Sequence, residues 1–146
     1  MSEKNAESAD RLASPGGEYV WVVSAYEVRM SHWIEAGALF HVDRPGAPIF
    51  SAPDSWSFET RTWRSDTLLE LEGRKYPGAM PGLRLTIDAR RELGSIALDD
   101  LAALHARGSY GWVRAHDVQP APEGMQPLRE ISRWLDAYPS ERAQPL

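Results

Sequence analysis

The side chains that could do chemistry here are few. Cysteine is absent, which removes thiolate nucleophiles, disulfides and the cysteine type of zinc site. Any metal would have to be held by histidine and carboxylate. In His41-Val42-Asp43 a period of two puts imidazole and carboxylate on one face of a strand, a spacing that suits metal ligation or a base held by an orienting acid. No third ligand stands at a recognised spacing, so the pair reads as a surface histidine or one satisfied in the core. His32 and Glu35, three apart, would share a face only on a helix, and their segment favours a turn. His105 and His116 fall in no motif. There is no G-x-S-x-G nucleophile turn and no glycine-rich phosphate loop between a strand and a helix. The expectation is a protein that is not an enzyme and carries no cofactor and no metal.

Binding is the remaining chemistry. Of the six tryptophans, Trp21 and Trp134 fall on apolar stripes, and Trp33, Trp56 and Trp112 read as core because an aromatic ring buries so much area. Trp63 lies opposite the apolar face of its strand and is the one kept as a contact residue. Charge is uneven along the chain. Asp54, Glu59, Asp66, Glu70 and Glu72 dominate one stretch, and Arg74, Lys75, Arg84, Arg90 and Arg91 dominate the next. Two readings follow: paired strands of opposite charge in solvent, or a polar docking surface. The second predicts a partner-binding group of Trp63, Glu70, Glu72 and Tyr76, with the acids entering a basic cleft and the rings supplying a desolvated anchor. The net charge of -5 argues against direct nucleic-acid binding, which needs clustered Lys and Arg.

These residues need elements to position them. Tyr19 to Arg29 is rich in β-branched and aromatic residues with both period-two faces apolar, predicting a central strand covered on two sides. Ala38 to Val42 follows as a strand, and Trp56 to Trp63 alternates, with Trp56, Phe58, Thr60 and Thr62 on one face. Thr67 to Glu72 and Leu83 to Ala89 predict a hairpin, Leu69 and Leu71 facing Leu83, Leu85 and Ile87. Its Gly73 to Gly82 connection is far longer than the usual hairpin loop. A helix is predicted over Leu98 to Arg107, a strand over Tyr110 to His116, and a closing helix from Pro127 with Leu128, Ile131, Trp134, Leu135 and Tyr138 at helical spacing.

With 42% hydrophobic residues in 146, one domain can bury its own core. The fold class expected is α+β: an antiparallel sheet of about five or six strands with two helices packed on it. Met1 to Gly17, polar and ending in Ser-Pro-Gly-Gly, is expected to be a disordered tail ahead of a single globular domain over 18–146. No apolar run is long enough to span a bilayer and no secretory signal pattern opens the chain, so a cytoplasmic protein without a membrane partner is expected.

Pro81-Gly82-Leu83-Arg84-Leu85-Thr86-Ile87-Asp88, together with Ser55-Trp56, Tyr110-Gly111-Trp112-Val113 and the Leu128 to Leu135 helix, resembles small immunity proteins of bacterial polymorphic toxin systems. That family tends to have an aromatic where Leu83 stands, and nothing before about Asp54 takes part. The resemblance implies a cytoplasmic inhibitor that binds and blocks a toxin domain and has no catalytic residues of its own. A secretion chaperone, or a small enzyme in which His41 and Asp43 converge with His32 or His116, are the alternatives.

Overall fold

The computed structural model describes residues 10–27, 33–53, 56–75, 82–98 and 121–137. Nine strands and one helix lie among them. β1 (Asp10–Ala13), β2 (Tyr19–Glu27), β3 (Trp33–His41) and β4 (Phe50–Ser51) form one antiparallel sheet in that order. β5 (Trp56–Trp63), β6 (Leu68–Lys75), β7 (Leu83–Asp88), β8 (Leu93–Leu98) and β9 (Gln126–Pro127) form a second, again in chain order, and α1 (Leu128–Ala137) closes it. The fold is therefore mostly β, with two sheets and, among the described residues, one helix. This overturns the expected α+β arrangement of a single sheet carrying two helices. Of the helix predicted over Leu98 to Arg107, Leu98 ends β8 and the rest lies outside the described residues, as does the strand predicted over Tyr110 to His116.

The two sheets share one core. Trp21 from β2 stacks on Phe50 at 6.5 Å and meets Phe58 of β5 edge-on at 6.4 Å, while Phe58 stacks on Trp56 at 5.7 Å. Around these rings lie Leu39, Leu69, Leu71, Leu85 and Ile87, all fully buried. Such offset and edge-on ring pairs add to the stabilisation from burial itself. Trp21 leans over Gly37, where an added Cβ would stand 2.4 Å from the ring, so only glycine lets the indole lie there. Its Nε1–H is buried without a hydrogen-bond partner among the described residues, a cost that the close ring packing outweighs.

The predicted β6–β7 hairpin is present, with Leu69 opposite Ile87 and Leu71 opposite Leu85. The closing helix is present too. It begins directly after Pro127 and buries Leu128, Ile131 and Leu135. Gly94 on β8 makes room for it, since a Cβ there would stand 3.1 Å from Leu128 and 3.3 Å from Ile131. The Trp56 indole donates to the Leu135 carbonyl at 2.8 Å, and the Leu128 amide donates to Glu92 O at 3.2 Å. Glu92 ends the β7–β8 turn with a φ of 59°, strained for a side chain that is not glycine.

Of the tail expected over Met1 to Gly17, residues 1–9 lie outside the described residues, and Asp10–Ala13 forms β1. Its four residues pair with β2, and Ser14-Pro15-Gly16-Gly17 is the turn between them. Gly17 donates its amide to Ser14 O at 2.8 Å with a φ of 78°, a left-handed conformation that glycine adopts without penalty. The Ser14 hydroxyl accepts the Tyr19 amide at 3.1 Å.

Candidate functional site

β3 ends at His41, and the chain turns there, so the imidazole is held by its own loop. Nδ1 accepts the Asp43 amide at 3.1 Å, and the Nε2 side of the ring meets Glu18 Oε2 at 3.1 Å. The ring stands edge-on to Tyr19 at 5.3 Å. The Asp43 carboxylate is 3.9 Å from Nδ1 and its side chain is 84% exposed. A base with an orienting acid needs one ring nitrogen on the carboxylate and the other free for substrate. Here both nitrogens are occupied, one by a backbone amide. No group of three His, Asp or Glu side chains that could hold a metal occurs among the described residues. Glu35 pairs with Arg61 at 2.8 Å. His32, His105 and His116 lie outside the described residues.

The predicted partner group is not brought together as expected. Between Phe58 and Thr60 the β5–β6 register shifts, so Glu59 is an extra residue. A bulge of this kind reverses the alternation beyond it. Trp56 and Phe58 therefore share the core face with Arg61 and Trp63, which stand opposite Leu71 and Leu69, while Thr60 and Thr62 turn outward. The expected common face of Trp56, Phe58, Thr60 and Thr62 does not form. Trp63 is half-buried against the core, and its indole donates to Leu12 O at 3.0 Å, fastening β1 to the second sheet. Arg61 works beside it, reaching Glu35 on β3 and accepting company from Asp10 on β1 at 4.0 Å.

Glu70 and Glu72 are on the outer face of the second sheet, as the hairpin alternation predicts. Glu70 accepts from Arg64 Nε at 2.6 Å and pairs with Arg84 at 3.1 Å; Glu72 pairs with Arg84 at 3.4 Å. These acids are thus neutralised by the protein's own guanidinium groups. Tyr76 and 77–81 of the long connection lie outside the described residues. At the near end of that connection, Lys75 donates to Asp136 O at 3.1 Å, capping the last turn of α1. Partial burial lowers its pKa below the usual lysine value, and Asp136 opposes the shift.

The outer face of the first sheet carries what the predicted group lacks. The register sets Ala13, Val20 and Phe40 in one row and Arg11, Val22, Ala38 and Ser51 in the next. Apolar side chains thus line a face that, among the described residues, has no second sheet against it. A concavity of about 190 Å³ opens there, floored by Val20, Val22, Phe40, Val42 and Pro45. Val42 is 44% exposed. Arg11 and His41 complete the lining. The apolar alternation of β2 on both faces was the sequence signal for this surface, and it suggested cover on two sides. The core covers one side; on the other, Val20 and Ile34 are buried while Val22 and Phe40 are only half-buried.

Comparison with protein-family models, curated proteins and solved structures finds no match for the chain. Among the described residues no helix is long and apolar enough to cross a membrane.

Proposed function

We propose that this chain is a protein-binding module without catalysis, acting as an immunity-type inhibitor that occupies a partner domain in the cytoplasm. The single observation that carries the reading is the apolar outer face of the first sheet. Exposed apolar surface backed by a rigid sheet is the usual mark of a protein contact. The occupied nitrogens of His41 support the same reading, because its nearest polar groups serve the fold.

The test is a tagged full-length chain produced in its own host. The expected result is one stoichiometric protein partner whose isolated activity, toxic to cells, is blocked when the chain is added. Recovery of the chain alone at native levels, with no protection of cells, would overturn the proposal.

The same face also favours a second reading, a secretion chaperone that holds an apolar segment of a secreted protein. A dimer in solution and a partner that is exported, with no growth inhibition by that partner, would select it.

A further inference from the structure

We infer that the concavity on the outer face of the first sheet is the anchor site for a protein partner that inserts one aliphatic or aromatic side chain and sets a carboxylate against Arg11. The inference rests on the protein-binding reading above and names the surface and the chemistry of what it takes.

Size comes first. At about 190 Å³ the concavity falls below the range of about 300–1,000 Å³ that encloses small molecules and cofactors. It suits a single side chain of the kind that dominates protein interfaces, an apolar anchor in a desolvated pocket. Its floor is uniformly apolar, and no acid lines it. The position is also rigid, because Val20 and Phe40 face each other across the β2–β3 ladder and Val22 faces Ala38.

Charge then narrows the partner. Arg11 is the one formally charged side chain among the lining residues, and it makes no ion pair or hydrogen bond among the described residues. On the second sheet Arg64 and Arg84 are paired with acids, and Arg74, like Arg11, has no ion pair among the described residues but no apolar floor beside it is described. Of the acids beside His41, Glu18 accepts from its Nε2 and the Asp43 carboxylate is exposed 3.9 Å from Nδ1; neither lines the concavity. A guanidinium at the edge of an apolar floor recognises a carboxylate with directional, charge-assisted bonds. A second copy packed on this face would bring its own Arg11 and no lining acid, so charge favours a different, acidic partner.

The experiment is selection of random displayed peptides on the folded full-length chain, run in parallel on Arg11→Glu and Val22→Glu, with sedimentation of each protein. Circular dichroism of each variant establishes that it is folded. The expected result is enrichment by the wild type of peptides pairing an aliphatic or aromatic residue with a nearby Asp or Glu. Affinity for those peptides should fall at least tenfold in both variants, and Arg11→Glu should select Lys or Arg in place of the acid. Selected peptides that bind Arg11→Glu and Val22→Glu unchanged, no enrichment at all, or a wild-type dimer that Val22→Glu dissolves would each overturn the inference. The protein-binding reading fails separately: a native partner bound equally well by wild type and both variants would leave that reading standing and remove this surface from it.

Discussion

The two sheets treat their outer faces differently. On the second, every acid of the β6–β7 ladder is answered by a guanidinium: Glu70 by Arg64 and Arg84, Glu72 by Arg84, and Asp88 by Arg91. On the first, half-buried Val22, Ala38 and Phe40 lie beside an arginine with no acid on it among the described residues. A face that balances its own charge has little to offer a partner beyond exposed ion pairs, each worth about 0–1 kcal/mol. A face that leaves apolar area and one cation unanswered holds free energy that only association can release. The contrast teaches that conspicuous charge in the sequence marked a face whose acids are answered by the protein's own arginines.

The largest effect is expected from uncovering the second sheet. Leu135→Ala removes a fully buried side chain next to the carbonyl that holds Trp56, and should destabilise by about 2–5 kcal/mol. Chemical denaturation measures it; an unchanged midpoint would mean that α1 contributes nothing to the core that lies behind both outer faces. Next is the first sheet's inner face. Gly37→Ala sets a Cβ against an indole already held between Phe50 and Phe58, and overpacking of this kind costs about 1–3 kcal/mol. A shift in tryptophan emission should accompany it, and a silent variant would show that the first sheet is loosely packed on both sides.

A smaller effect is expected on the outer ladder. Glu70→Gln leaves two arginines without their shared acid, for a loss of about 1 kcal/mol or less that shrinks as salt is added. If the loss is several-fold larger and insensitive to salt, the ladder is a structural element of the second sheet and the contrast between the faces is one of stability as well as binding. The smallest expected effect is at the turn between β7 and β8. Glu92→Gly relieves a left-handed residue costing about 1–2 kcal/mol and adds backbone freedom worth about 0.5–1 kcal/mol to the unfolded chain. The result should be a gain below about 1 kcal/mol, read as a small rise in melting temperature.

Part of this architecture was legible in the chain. Leu69 to Leu71 and Leu83 to Ile87 alternate without interruption, and Leu128, Ile131 and Leu135 recur at helical spacing, so local period alone located the hairpin and α1. The division into two sheets was not legible, because pairing partners of individual strands are decided by tertiary contacts that leave no local period. β1 was missed for a related reason. Asp10–Ala13 is too short and polar to announce itself, and it is held by pairing to β2 and by the Trp63 indole. β8 has small residues, Gly94 and Ser95, where an apolar alternation would have been expected. Of the predicted partner group, Glu70 and Glu72 were placed on the correct face, whereas Trp63 was placed by an alternation that assumed an unbroken strand. No residue type at Glu59 signals the break.

That extra residue has a consequence for how the chain can tolerate change. Deleting Glu59 would restore unbroken alternation along β5. Everything after it would then rotate by one step, turning Thr60 and Thr62 inward while Arg61 and Trp63 swung out into water. The Leu12 carbonyl would lose its indole, Glu35 and Asp10 would lose their shared guanidinium, and the first strand would be an unprotected edge open to pairing with another molecule. Substitutions at this exposed position should be nearly free, yet its removal should not be. The length of β5, more than its composition, keeps the first strand fastened to the second sheet.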